Sequence, residues 1–242
     1  MRFRVEVATV NQLVEAASLG QPEYVYTSSS LLTPEVSNKI EDKARIIVLP
    51  PIFTCGKLCG LRNLGFSRVL AHTIGHIPVI HEAGMTGHGG FRLNITNSAA
   101  LKEYASLGLA DTIMSIEVSL QRLGSLSRSF PPFPIGVYAY GRLPMMLLKR
   151  SPNVGDSDGF TDRKGKFIRI VNHGNNQNEY ELLNPDVLCL SDRVSDLEQA
   201  KLDFVVLKLS PGESVKQILE MFENGIKPEN NSKLRHTKGL YY

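Results

Sequence analysis

A chain of 242 residues that is 42% hydrophobic and 21% charged, with 20 Gly and 13 Pro, is neither disordered nor collagen-like, and its length allows one large core, since single α/β barrels reach about 250 residues. Its 27 basic against 24 acidic side chains leave a net charge of +3 without the concentrated basic block of an autonomous nucleic-acid binder. Three cysteines, an odd number, do not make a disulfide framework, so a reducing compartment, the cytoplasm, is expected. Glu6 stands where a signal peptide needs an apolar stretch, and the longest apolar run, Ile46 to Phe53, contains Pro50 and Pro51; neither a secretion signal nor a membrane span is expected.

Short runs rich in Val, Ile and Tyr alternate with helix-period stretches, the pattern of repeated β-α units. In chain order the pattern predicts a strand at Phe3 to Val7, a helix at Val10 to Leu19 stopped by Gly20, a strand at Tyr24 to Tyr26, and a helix at Pro34 to Lys43. Strands follow at Arg45 to Leu49, Val69 to Ala71 and Phe91 to Ile95, with Gly65 as a helix stop between the first two. Asn97-Ser98 then opens a helix to Leu107, stopped by Gly108; a strand at Thr112 to Ile116 and a helix at Ser119 to Leu126 come next. Ile135 to Tyr138 is the seventh strand, Phe204 to Leu207 the eighth, and Ser210-Pro211 leads into a helix over Ser214 to Asn224.

Between the last two strands, residues 149–189 break the rhythm with turn chemistry. The segments are Asn-Val-Gly-Asp-Ser-Asp-Gly, then Asp162-Arg-Lys-Gly, then His173-Gly-Asn-Asn-Gln-Asn. Phe167 to Val171 reads as an extended arm returning through Glu181-Leu-Leu-Asn, so a small β insertion is expected there. Seven or eight mostly parallel strands wound by right-handed crossovers make an α/β fold, a (β/α) TIM-barrel-like domain spanning 1–242. The chain stops abruptly after Lys238-Gly-Leu-Tyr-Tyr, as expected of a piece of a longer one.

Ordered motifs carry a family resemblance. Gly89-Gly-Phe-Arg-Leu-Asn-Ile-Thr-Asn-Ser98, Gly108-Leu-Ala-Asp-Thr-Ile-Met-Ser-Ile-Glu-Val118, Tyr140-Gly-Arg-Leu-Pro-Met-Met146, Phe160-Thr-Asp-Arg-Lys-Gly165 and Leu182-Leu-Asn184 follow one another. In order and spacing, from Val5 to Tyr242, the chain resembles the collagenase-like peptidases of unknown catalytic type, most closely the C-terminal barrel module of long members. The resemblance implies an N-terminal barrel as partner. It also implies one of three roles: a non-catalytic substrate-binding or scaffolding module, a collagenase-like hydrolase, or part of an enzyme hydroxylating RNA pyrimidines. Similar modules carry cluster-binding cysteines where this chain has Arg150-Ser-Pro, Asp156-Ser-Asp-Gly159 and Asn172-His-Gly-Asn-Asn176. Hydroxyl and amide oxygens do not replace thiolates at an iron-sulfur centre, so no cofactor is expected. Anaerobic reconstitution should leave the protein without iron and sulfide; stoichiometric amounts of both would refute this.

Local chemistry is sparse. Cys55 and Cys59 are spaced i, i+4 but have no further pair, so buried apolar thiols are the expectation, and Cys189 in Val187-Leu-Cys-Leu reads as core. His72, His76, His81 and His88, with Glu82 among them, could bind zinc, but His-Glu-x-x-His is missing, and individually hydrogen-bonded histidines at a barrel mouth are expected instead, with no metal site. Gly84-Met-Thr-Gly-His-Gly-Gly90 precedes a predicted strand, which reads as a loop and not as a phosphate cradle. Met145-Met146-Leu147-Leu148 reads as core.

Barrel sites assemble after the C-terminal ends of strands, which selects His72 and Thr73, Asn94 and Asn97, Glu117, and Tyr140 with Arg142. In one reading Arg142 holds an anion, a small carboxylate, a peptide end or an RNA phosphate, and Glu117 accepts a proton as candidate catalytic base. In the other these residues are a structural plug, with Asn97 capping a helix and Arg142 paired to Glu117.

Overall fold

The β-branched and aromatic runs become strands because they fit a pleated surface buried on both sides. The computed structural model describes residues 1–49, 55–129, 133–148, 158–172, 180–228, 236–239 and 241–242. Strand and helix alternate as β1 (Arg2–Val7), α1 (Val10–Leu19), β2 (Tyr24–Ser28), α2 (Pro34–Ser37), β3 (Ile46–Leu49), α3 (Cys55–Asn63), β4 (Arg68–Ala71) and α4 (His76–Glu82). They continue as β5 (Thr86–Gly89), α5 (Ser98–Ser106), β6 (Thr112–Ile113), α6 (Leu120–Ser129) and β7 (Ile135–Gly141). After an insertion come α7 (Val194–Gln199), β13 (Phe204–Lys208) and α8 (Val215–Glu223).

β1 to β7 pair in sequence order, and β13 bonds both β7 and β1, closing a parallel ring of eight strands. This is a TIM barrel. The insertion holds an antiparallel sheet, β8 (Pro144–Leu148), β9 (Gly159–Thr161), β10 (Phe167–Asn172) and β11 (Tyr180–Leu183), in the order β8-β11-β10-β9. The chain returns through β12 (Val187–Cys189), antiparallel to β7, and β14 (His236–Thr237) lies parallel to β12.

Local signals set the helices. Thr9 accepts from the backbone of Gln12 and Gln12 reaches back to the backbone of Thr9, a reciprocal cap that starts α1, and Gly20 at φ 69° ends it. Leu13 and Ala16 of α1, and Val215, Leu219 and Phe222 of α8, are buried against the ring. Each large side chain so buried contributes about 1.5–3 kcal/mol.

The inside of the ring is polar at its N-terminal end. Arg4, 1% exposed, donates to Glu23 Oε2 at 2.7 Å, to the Tyr26 hydroxyl at 3.0 Å and to Asp111 Oδ2 at 2.8 Å. Its guanidinium carbon lies 3.4 Å from the ring centroid of Phe204 and 4.7 Å from that of Tyr24. His88 Nδ1 completes the network at 2.9 Å from Asp111 Oδ1. Room for Phe204 comes from Gly136, where a Cβ would stand 2.3 Å from its ring.

Several expectations change. The fifth strand is Thr86–Gly89, inside the glycine-rich stretch expected as a loop, and Phe91–Leu93 is a 3-10 turn. A Cβ at Gly87 would lie 2.9 Å from Leu109, and one at Gly89 would lie 2.3 Å from the Thr112 hydroxyl, so packing selects glycine there. The helix expected from Pro34 to Lys43 ends at Ser37, where Asn38 takes over as cap. The insertion begins at Pro144, and Met145, Met146 and Leu147 are exposed on β8, an outer strand of its sheet, in place of entering the core. Cys59 is exposed, Cys189 is buried, and the Cys55 side chain lies outside the described residues. So do most of the segments compared for cluster cysteines, 149–157 and 173–179. No described helix is long and apolar enough to cross a membrane.

Candidate functional site

The C-terminal ends of the barrel strands open into a cavity of about 630 Å³, walled on one side by the insertion. From the ring come Glu6 and Val7, Ser28, His72, Tyr138 and Lys208; from the insertion come Pro144, Leu147, Asp158, Arg169, Val171, Glu181 and Leu183. Phe91, Arg92, Arg142 and the Leu209-Ser210-Pro211 turn complete the wall.

Register builds the floor. Glu6 of β1 is paired with Tyr26 of β2 on one side and Lys208 of β13 on the other, and register partners in parallel strands share a face. Lys208 Nζ is hydrogen-bonded to Glu6 Oε1, and the Tyr138 hydroxyl donates to Glu6 Oε2 at 2.5 Å. Burial, then the Glu6 carboxylate, raises the Tyr138 hydroxyl well above the ordinary tyrosine value, so it stays a donor. Phe91 packs edge-on against Tyr138 at 5.5 Å between centroids.

Arg92, in the turn after β5, forms an ion pair with Glu181 of β11, tying the insertion to the ring. Arg142 donates through Nη1 to the carbonyl of Asn184 at 3.1 Å and to that of Pro185. Burial and then the nearby Arg169 lower its pKa, against the opposing pull of the Glu213 and Asp186 carboxylates. Arg169 itself faces Asp158 at 3.6 Å. The 208–213 turn is held by Gln12, whose Nε2 donates to the carbonyls of Ser210 and Glu213, both at 2.8 Å.

Of the seven residues chosen from strand ends, the cavity gathers His72, Thr73 and Arg142. Tyr140, inside β7, donates to Glu213 Oε1 at 2.9 Å, and burial followed by that carboxylate raises its pKa. Asn94, at φ 52°, accepts from the Ser115 hydroxyl at 2.7 Å. Asn97 caps α5 by accepting from the Ala100 N–H at 2.9 Å. Glu117 is exposed and outside the cavity, and no Arg142–Glu117 pair forms.

The histidines separate: His72 and His76 stand at the mouth, where the backbone N–H of His72 donates to His76 Nδ1 at 3.2 Å, whereas His88 is inside the ring. Burial lowers the His76 pKa. Among the described residues no group of three or more His, Cys, Asp or Glu is placed to hold a metal ion.

Strand-end reasoning passed over Glu6 and Lys208. Their signals were present: Arg4 and Glu6 alternate on one face of a strand otherwise apolar at Val5 and Val7, and Lys208 directly follows the predicted eighth strand.

No family model and no curated protein matches this chain. Solved structures do. The native KDPGal structure is similar at a TM-score of 0.57 and 11% identity, covering 93% of this chain and 94% of that one. Thiamine phosphate pyrophosphorylase from Pyrococcus furiosus is similar at 0.53 and 9% identity, over 93% and 97% of the two chains. An uncharacterized B. cereus protein is similar at 0.52 and 11% identity, over 94% of this chain and 65% of that one. At these identities the likeness is one of fold: the chain has the architecture of TIM-barrel proteins.

Proposed function

We propose that this chain is a ligand-binding barrel module, and that its cavity takes a small carboxylate- or phosphate-bearing molecule, or the acidic end of a chain, on Arg142. The observation that carries the reading is the charge arrangement. Every acid lining the cavity has a basic partner: Glu6 has Lys208, Glu181 has Arg92 and Asp158 has Arg169. Arg142 has only backbone carbonyls among its described hydrogen-bond partners. A half-buried guanidinium beside a second cation is relieved by an anion, and its planar fork holds carboxylate or phosphate through two parallel hydrogen bonds.

The motif resemblance to collagenase-like peptidases supports placing the module C-terminal to a separate barrel, as a non-catalytic substrate-binding or scaffolding part. Hydrolysis and a share in RNA-pyrimidine hydroxylation are the alternatives, and Glu117, the candidate base, stands outside the cavity. Calorimetric titration with inorganic phosphate, malonate, an acidic peptide and an oligonucleotide should find at least one ligand. Arg142→Ala, verified as folded, should weaken its binding by about tenfold to a hundredfold, the worth of a charged hydrogen bond at about 1.5–3 kcal/mol. Binding indifferent to this substitution would overturn the reading.

A further inference from the structure

The floor of the cavity holds more than an anion site needs. Lys208 is a primary amine at the end of a barrel strand, with its side chain 19% exposed, and Glu6, 10% exposed, is its hydrogen-bond partner. The second oxygen of Glu6 is taken by the Tyr138 hydroxyl at 2.5 Å, so the carboxylate is fixed with one oxygen toward the amine. This is a nucleophile with an adjacent base and a third group orienting that base. A register shift between Val206 and Leu207 of β13 sets the strand end against β7. There a Cβ on Gly141 would lie 2.1 Å from the Lys208 carbonyl oxygen and 2.8 Å from Lys208 Cβ. The residue preceding Arg142 therefore packs directly on Lys208, and both side chains line the same cavity.

We infer that Lys208 captures the carbonyl carbon of a 2-oxo acid as an iminium, with the acid's carboxylate on Arg142. The inference rests on the anion-site reading and names the ligand class for it. Glu6 takes one proton from the Lys208 ammonium, and the freed amine lone pair forms the C–N bond while the carbonyl π pair moves to oxygen. That oxygen, protonated through Glu6 and then by the second amine proton, leaves as water as the C=N bond forms. Ammonium plus carbonyl gives iminium plus water, with charge and electrons conserved. Water addition reverses the step, so capture alone is a mode of binding and calls for no turnover.

The test uses the full chain with pyruvate, sodium borohydride and peptide mass spectrometry. The expected result is a reduced pyruvyl group on Lys208 at far higher occupancy than on exposed lysines such as Lys216. Lys208→Arg should abolish it, and Glu6→Gln, with its fold checked by circular dichroism, should slow trapping by about a hundredfold. Malonate, which has carboxylates and no ketone, separates the two readings. Malonate bound through Arg142 with no adduct on Lys208 overturns the inference and leaves the anion site standing. Loss of both overturns both, and labelling spread evenly over the lysines, or persisting in Lys208→Arg, overturns the inference as well.

Discussion

Arg4→Ala should cost about 3–5 kcal/mol of folding stability, because it strands buried partners that an aliphatic methyl cannot satisfy. Asp111, at 6% side-chain exposure, would keep only His88; the Tyr26 hydroxyl and Glu23 would each lose a donor, and Phe204 its stacked guanidinium. The measurement is the urea midpoint, and a change within about 0.5 kcal/mol would refute the account. The pH dependence supplies a second observable. Burial pushes the Asp111 carboxyl up, but His88 and Arg4 outweigh it and hold the group below the ordinary aspartate value. Such a carboxylate contributes stability in full above its unfolded value of about 3.9 and loses it as the pH falls through the lower folded value. Without Arg4 one of the two opposing partners is gone, so the acid limb of the stability curve should move to higher pH.

Gly141→Ala should be the most damaging single methyl in the barrel. The backbone there has φ +114°, which L side chains rarely adopt, and the new Cβ would meet the Lys208 carbonyl at 2.1 Å. Left-handed strain and overpacking each cost about 1–3 kcal/mol, and a backbone oxygen has no rotamer through which to yield. A loss of about 3 kcal/mol or more is expected in chemical denaturation. Gly165→Ala, also at positive φ but with no atom within 4 Å of the new Cβ, isolates the conformational part. Equal losses at the two sites would show that the close approach of β7 to β13 contributes nothing.

The alternation of apolar runs and helical stretches was enough to place seven of the eight barrel strands, because those strands carry β-branched residues buried on both faces. The fifth was hidden: Thr86-Gly-His-Gly has the composition of a turn, and only the crowding of Leu109 and Thr112 against it explains why a strand must be so bare. Met145, Met146 and Leu147 misled in the opposite direction, since hydrophobicity alone does not tell a core strand from an outer strand of an inserted sheet. A cavity opens at the mouth, yet residues counted just beyond strand ends, such as Asn94 and Asn97, are consumed by local bonds. The floor comes instead from strand positions themselves. Arg4 and Glu6 share one face of β1 but serve opposite ends of the barrel, a division that depends on partners more than 100 residues away in Asp111, Tyr138 and Lys208.

The Glu6–Lys208 contact spans 202 residues of sequence, because it lies on the seam where the first strand of the ring meets the last. The seam is stitched by Arg2–Glu6 against Phe204–Lys208 and by the Leu209 N–H bonded to the Glu6 carbonyl at 2.8 Å. Bringing such distant segments together is the entropically slow part of assembling a parallel ring. The cavity floor therefore exists only where β1 and β13 are paired. A ligand resting on both edges acts as a clasp. At a hundred times its dissociation constant it adds about 2.7 kcal/mol to the closed state. Hydrogen exchange along β1 and β13 should then slow more than exchange on the far side of the ring, in β4 and β5.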